Sequence, residues 1–492
     1  MSEKISVTNL RLKYPGDEAP LLFQGVSFSV KPGEKVLLLG PSGCGKSTLL
    51  QVLSGIVPDI IEIPLKADSI VTPSRWGYVF QDPDAQFCMP YVDEEIAFVL
   101  ENRQVPREEM PARIAHYLHL VGLRLDDTHT PIGQLSQGMK QRLAIASVLA
   151  LEPEVLFLDE PTALLDEEGT GLVWETIRSI GADKTLVIVE HKISGILDLI
   201  DRLIVISADG EMLADGSPRS VFETYKKQLA DYGIWYPGVW EDCHTRREAE
   251  SAAASAMLTG RQPVMSFRDF AGIRGGQIKT SVDNLSVYPG DWITVTGANG
   301  AGKSSLLLAI MRLIPTQGSC WIEGVKGSKI EQLAEQVGFV FQNPEFQFVT
   351  NSVEEELLYS LPEVEAKERG AQQAAMEELL RQYDLLELRK QHPFQLSMGQ
   401  KRRLSVATAL VRGPRILLLD EPTFGLDARG TMRMLEQLER LRTGGTVIVM
   451  VTHDEEIVKR CATRVWHVEN GCVKELPTEM SSPLVALARE GG

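Results

Sequence analysis

The chain repeats itself once, block for block. GPSGCGKST begins at Gly40, and GANGAGKSS begins 257 residues later at Gly297. VFQDPDAQF sets Gln81 against Gln342 of VFQNPEFQF. LSQGMKQRL sets Ser136 against Ser397 of LSMGQKRRL, and LFLDEPTALLD sets Asp159 against Asp420 of LLLDEPTFGLD. These three pairs share an offset of 261. VIVEH sets His191 against His453 of VMVTH at an offset of 262. Five blocks in one order at near-constant spacing describe a tandem duplication of a domain of about 230 residues. The step from 257 to 261 is a loop-scale insertion between the first two blocks. The pattern divides the 492 residues into a first domain at 1–230, a linker at 231–262 and a second domain at 263–492. Each half is long enough to bury its own core.

The join follows a terminal hairpin pattern, RLIVISADGEMLADGSP (202–218). Beyond it the chain loses clear periodicity and turns small and polar near 250–256. Four aromatics, Tyr232, Trp235, Tyr236 and Trp240, are expected to pack back onto the first domain. Within each copy, short apolar runs such as VLLLG, VLFLD and TLVIVE read as buried parallel strands. REEMPARIAHYLHLVGL and EAKERGAQQAAMEELLRQYDLL carry helical spacing. The organisation is an α/β core with a helical insertion.

The blocks carry chemistry. Both glycine-rich segments fit G-x-x-x-x-G-K-[ST] after an apolar strand. Glycines let backbone N–H groups close around phosphates, and a helix N-terminus favours the anion. Lys46 and Lys303 are candidates for the β- and γ-phosphates, and Ser47 and Ser304 for Mg²⁺. VLFLDE and ILLLDE end apolar strands in two acids. Asp159 and Asp420 are candidate metal-side carboxylates, and Glu160 and Glu421 candidate general bases. Ser136 and Ser397 read as N-caps of helices, which offers a further anion site.

Composition narrows the partners. Lys+Arg 50 against Asp+Glu 67 leaves −17. That balance opposes broad, sequence-blind nucleic-acid binding and suits a partner presenting Arg or Lys. Six scattered cysteines without a C-x-x-C pair give no zinc or disulfide framework. No apolar run approaches the ~18 residues of a membrane span, and MSEKISVTNLRLKYPG contains no leader-like h-region. A chain of this kind is expected on the cytoplasmic side, with any spans supplied by other subunits.

In that order, twice, these blocks resemble the ATP-binding cassette (ABC) family: Walker A, Gln loop, LSGGQ-like signature, Walker B with Glu, D-loop (LLD, GLD) and His loop. The resemblance covers nearly the whole chain. It implies an α/β fold of two P-loop NTPase cassettes, each a mainly parallel sheet core with a helical subdomain and an antiparallel β portion. It implies an ATPase using ATP and Mg²⁺. In the family each nucleotide meets Walker A of one cassette and the signature of the other. Carried over, one site takes Gly40, Pro41, Ser42, Gly43, Cys44, Gly45, Lys46, Ser47 and Thr48, with Gln81, Asp159, Glu160 and His191, and with Ser397, Gly399 and Gln400. The other takes Gly297, Ala298, Asn299, Gly300, Ala301, Gly302, Lys303, Ser304 and Ser305, with Gln342, Asp420, Glu421 and His453, and with Ser136, Gly138 and Met139. The metal ligands would be Ser47, Gln81 and Asp159, and Ser304, Gln342 and Asp420. His191 and His453 would contact the γ-phosphate.

Departures from the family pattern are Gln137 and Met398 at the third signature residue and Met139 at the fifth. Tyr14 matches the family's adenine-stacking aromatic, and Phe270 is the candidate in the second copy. Cys44, inside the first loop, reads as a small residue whose alkylation should hinder nucleotide entry.

Two classes of cassette protein compete, a membrane-transporter motor and a soluble protein acting on ribosomes or DNA. The short linker, acidic balance and missing Cys pairs favour the motor. Q-D-P-D-x-Q-F with V-D-E-E, and Q-N-P-E-x-Q-F with V-E-E-E, are similar to ATPases of energy-coupling-factor (ECF) and cobalt-type importers. The alternative transporter is a tandem sugar-importer ATPase. The resemblance implies a transmembrane coupling protein bearing Arg and a membrane substrate-binding subunit, with no nucleic acid. Asp93, Glu94, Glu95, Glu354, Glu355 and Glu356 are the candidate acceptors of that Arg.

Overall fold

A computed structural model describes residues 5–15, 21–163, 165, 167–193, 195–244, 262–326, 330–361 and 369–476. Its contacts divide the chain into two compact units, Met1–Val239 with Asp427–Arg429, and Trp240–Leu426 with Gly430–Gly492. Each is an α/β unit built on a largely parallel sheet.

In the first unit a six-stranded sheet runs in the order Met212–Gly216, Arg202–Ile206, Lys35–Leu39, Thr185–Val189, Val155–Asp159, Trp76–Val79. All neighbours are parallel except the outer hairpin pair. The strands KVLLL, VLFLD and TLVIV are buried along nearly their whole length, as strands covered on both faces must be. A second, antiparallel sheet joins Ile5–Lys13 to Leu21–Val30, Leu65–Lys66 and Ser69–Val71. Val7 and, beyond the register shift that follows it, Leu10 and Leu12 turn inward to share one core with Leu38, Leu49 and Leu53. Fully burying such side chains is worth about 1.5–3 kcal/mol each.

The second unit repeats this plan, with the two sheets joined as one of eleven strands. The bridge is the parallel contact of Ser281 with Cys472. Its parallel core runs Arg464–Glu469, Trp292–Thr296, Val447–Val451, Ile416–Asp420, Val337–Val340.

Helices fill the expected insertion. Val92–Asn102, Met110–Leu120 and Gln137–Leu149 do so in the first unit, and Val353–Ser360, Arg369–Gln382 and Met398–Leu410 in the second. In the second unit Val353, Leu357, Met376, Leu380 and Leu404 interlock in one cluster. Residues 362–368 lie outside the described residues.

Of the expected linker, 245–261 lie outside the described residues, and Val239–His244 is helical. Trp235 and Tyr236 are buried in the first unit, where Lys226 Nζ lies 5.6 Å from the Tyr236 ring centroid. Trp240 corrects the expectation for the four aromatics. It packs on the second unit's apolar cluster, and its neighbour Glu241 accepts from Arg460 Nη2 at 2.9 Å.

Candidate nucleotide-binding and hydrolysis sites

Parallel strands deliver the candidate residues of each copy to one sheet edge, their carboxyl ends, where open α/β sheets bind ligands. Lys35–Leu39 runs into Gly40, Trp76–Val79 leads to Gln81, Val155–Asp159 to Glu160, and Thr185–Val189 to His191. Asp159 stands in register with Val189, and Leu158 with Val79. The second copy repeats the arrangement, with Asp420 opposite Val451 and Leu419 opposite Val340.

The phosphate-loop helices Lys46–Ser54 and Lys303–Ile310 begin at Gly45 (φ 91°) and Gly302 (φ 112°), with no side-chain cap. Their first-turn N–H groups are therefore left for an anion. A Cβ at Gly302 would stand 2.2 Å from Lys279 O, so the close approach itself requires glycine. Lys46 Nζ donates to Gly40 O at 3.0 Å and Pro41 O at 3.1 Å. Lys303 Nζ does the same to Gly297 O at 2.7 Å and Ala298 O at 3.0 Å. Each ammonium is thus held inside its own loop.

Ser47 Oγ donates to Asp159 Oδ1 at 2.8 Å, and Tyr78 OH donates to Asp159 Oδ2 at 2.8 Å. Burial raises the Asp159 carboxyl above its ordinary range, against the two hydrogen bonds that lower it. Burial also pushes the Tyr78 phenol up. Asp420 is raised by burial as well, while Ser304, Arg402 and Lys303 pull it down. Phe339 replaces Tyr78 in the second copy, and Asp420 Oδ1 is buried with no hydrogen-bond partner. An orphaned carboxylate oxygen beside a serine hydroxyl and the lysine fits a hard, oxygen-liganded divalent cation.

Glu160 carries φ 46° and Glu421 φ 53°, left-handed backbone that is costly for a side chain of this kind and concentrates at functional sites. Backbone bonds to Val189 O (2.9 Å) and Val451 O (3.1 Å) hold the two glutamates there. Gln81 Nε2 donates to Glu160 Oε2 at 3.0 Å, and His191 Nε2 lies 3.0 Å from Glu160 Oε1. Burial opposes ionisation of Glu160, but the His191 hydrogen bond and the charges of His191 and Lys46 prevail, so its pKa is lowered. His453 Nε2 lies 3.3 Å from Glu421 Oε1.

Ser136 caps Gln137–Leu149 by accepting from Met139 N at 3.3 Å. Ser397 caps Met398–Leu410 from Gln400 N at 3.4 Å. Gln400 returns the bond to Ser397 N at 2.8 Å, a capping box that Met139 cannot make.

Tyr14 donates or accepts a 2.6 Å hydrogen bond with Thr48 Oγ1 and keeps its ring half exposed over the loop helix. Phe270 is corrected. It is 1% exposed among Phe267, Trp466 and the rest of the core, so no ring face is open to a base. The left-handed residues Asn9 and Asp269 mark the same bulge in the two copies. That register puts Phe270 opposite Leu10, and exposed Arg274 opposite Tyr14. Cys44 also differs from its expected reactivity, because burial covers its thiol and raises its pKa. The D-loop residues Leu164 and Asp166 lie outside the described residues.

Two of the six acids expected to meet a partner are corrected. Glu95 is 3% exposed and Glu356 2%. Cys88 and Met89 donate their N–H groups to Glu95 Oε2, both at 2.9 Å. Val349 and Thr350 donate theirs to Glu356 Oε1, both at 2.5 Å. These carboxylates fasten the turn after the Gln loop. Asp93 faces His129 Nδ1 at 3.1 Å, and Glu354 pairs with Lys390. Glu94 is half-buried and Glu355 exposed.

Sequence reasoning missed Glu190. It is wholly buried, accepts from Thr162 Oγ1, from Thr162 N at 3.2 Å and from His191 N at 2.9 Å, and burial pushes it up to about 7. The signal was an acid ending an otherwise apolar strand, where the second copy has Thr452.

The sequence profile of the ABC transporter family matches residues 23–163 and again 281–424. The chain belongs to the ABC transporter family. It is a tandem ABC ATPase, and its cassettes bind ATP. A Bacillus subtilis (strain 168) protein, provisionally named HMP/thiamine import ATP-binding protein YkoD, is 37% identical over 94% of this chain and 89% of its own length. A Methanosarcina acetivorans protein, provisionally named ABC transporter ATP-binding protein, is 32% identical over 96% of this chain and 85% of its own. Among solved structures, archaeal ribosome recycling factor aABCE1, in complex with ribosomal stalk protein aP1, superposes with a TM-score of 0.66. It shares 19% identity, with 95% of this chain and 89% of that one covered. That likeness shows the fold. Among the described residues of this ABC ATPase, no helix is long and apolar enough to cross a membrane.

Proposed function

We propose that this ABC ATPase is the energy-coupling subunit of a membrane importer of the ECF type, carrying a vitamin or a metal ion as cargo. The observation that supports it most is full-length similarity to a protein named for HMP/thiamine import. Phe346, Val349 and Tyr359, strongly exposed and within ten residues of exposed Glu355 in the chain, support a docking face for an Arg-bearing membrane helix. In this reading the protein works on the cytoplasmic face of the membrane, held there by its partners.

Within each cassette, Lys46 or Lys303 holds the β- and γ-phosphates on the uncapped helix end. Glu160 or Glu421 takes the proton of the attacking water. His191 or His453 fixes that glutamate and the γ-phosphate. Ser47, Asp159 and Gln81, and Ser304, Asp420 and Gln342, would hold Mg²⁺, which neutralises charge on the phosphates when bound. Tyr14 stacks the adenine in the first cassette.

Affinity purification from detergent-solubilised membranes tests the reading. Co-purification of a transmembrane coupling protein with an integral substrate-binding subunit is the expected result. Ribosomes in its place would overturn it. Glu94→Lys with Glu355→Lys is expected to weaken recovery of the coupling protein.

A further inference from the structure

The two cassettes differ at several buried positions of the helix after the LS-x-G block, and one of them exchanges an amide for a guanidinium. Gln141 of Gln137–Leu149 corresponds to Arg402 of Met398–Leu410. Two other ties between this helix and the Gln loop recur in both copies. Lys140 meets Asp84 at 2.7 Å, as Lys401 meets Glu345 at 2.5 Å. Gln86 Nε2 donates to Ala144 O, as Gln347 Nε2 donates to Ser405 O, both at 2.9 Å. The copies also differ where Ser405 Oγ donates to Gln347 Oε1 at 2.8 Å while Gln86 Oε1 accepts from Phe80 N at 3.3 Å, but within this helix only the Gln141/Arg402 position changes charge.

Gln141 Nε2 reaches Phe80 O only at 3.4 Å, a weak bond. Arg402 donates from Nη1 to Phe341 O at 2.8 Å and from Nη2 to Gln342 O at 2.7 Å. Two charge-assisted bonds from one planar fork fix both distance and direction, which an amide with one bond cannot. The guanidinium is 1% exposed and its Nε has no partner. Burial lowers its pKa to about 10, with the charges of Glu421 and Asp420 acting against that fall. A buried cation persists only where charge compensates it, and here those two carboxylates do so.

We propose that Arg402 is a positioning residue of the second cassette. It ties the backbone of Gln342 to the helix, so that the Gln342 side chain keeps its place at the reacting phosphate, a hold the first cassette lacks. The inference rests on the reading of the second cassette as a hydrolysing site.

Amide hydrogen exchange in the full-length protein reads the tie directly. Arg402→Gln, which installs the first cassette's residue, is expected to speed exchange over 341–347 about tenfold and leave 80–86 unchanged. Arg402→Lys, which keeps the charge without the fork, is expected to fall between. Unchanged exchange over 341–347 overturns the proposal. The second readout is ATPase in a Glu160→Gln background. There Arg402→Gln is expected to lower kcat about tenfold with KM for ATP within twofold, and adding Gln342→Ala is expected to cost nothing more. Fully additive losses would also overturn it. If Glu160→Gln alone abolishes all activity, the two-site reading fails, and the exchange result decides the proposal by itself.

Discussion

His191 Nε2 stands 3.0 Å from Glu160 Oε1, on a carboxylate whose Oε2 accepts from Gln81 Nε2 at the same distance. The block spacing had separated these three residues by 79 and 31 positions. Three neighbouring strand ends bring them together. The histidine favours the ionised carboxylate against burial, and an ionised carboxylate is what a general base needs.

Each glutamate should therefore be indispensable to its own cassette. Loss of a general base costs about 10²–10⁴ in rate. Glu160→Gln and Glu421→Gln are each expected to remove roughly half of the steady-state ATPase activity, and the pair to lower it about 10²-fold or more. Phosphate release from the purified variants measures this. Full activity in either single variant would defeat the assignment of two active sites.

Much of this was legible in the sequence because the signals are local. A glycine loop after an apolar strand, an acid pair at a strand end and a serine at a helix start each need only a few consecutive residues. The failures were tertiary. Phe270 has the aromatic type of a base-stacking residue, but the bulge at Asp269 turns it into the core. Glu95 and Glu356 read as ordinary acids of a helix start, which the dipole would favour on the surface. Only the fold back of the preceding turn makes them acceptors of buried N–H groups. Glu190 was hidden in a strand because an acid in that place is defined by what packs over it.

Glu190 makes the first cassette's stability depend on pH. Its folded pKa, about 7, lies above the ordinary 4.5, so the folded state binds its proton more tightly than the unfolded chain does. The cost of ionising it is absent below about 4.5 and complete above about 7. Stability should fall as pH rises across that window, by about 3 kcal/mol for this one group. Glu190→Gln is expected to flatten the slope, seen as a smaller difference in urea midpoint between pH 5 and pH 8. An identical slope in the variant would show that other groups carry the dependence.

Thiol chemistry should follow burial rather than position in the phosphate loop. Cys88 and Cys472 are exposed, whereas Cys44 is covered, with its pKa raised by burial. The thiolate is the reactive form. Iodoacetamide at neutral pH is expected to label Cys88 and Cys472 at least about tenfold faster than Cys44. Peptide mass spectrometry against time gives the rates. Early, ATP-protectable labelling of Cys44 would mean that its loop opens far more than this geometry allows.

The acids after the Gln loop divide into two kinds, and mutation should separate them. Glu356 accepts the N–H groups of Val349 and Thr350, and Glu95 those of Cys88 and Met89. Removing either carboxylate strands two donors next to a buried helix start. An unsatisfied buried group costs about 1–3 kcal/mol, so Glu95→Ala and Glu356→Ala should each destabilise their own cassette by about 2–4 kcal/mol. Glu355 is exposed and holds no such turn, so Glu355→Lys should stay within about 0.5 kcal/mol. Urea unfolding of the three variants decides it. Equal losses in all three would erase the distinction. The expected pattern leaves Glu355, and not Glu356, free to receive a cation from outside the chain.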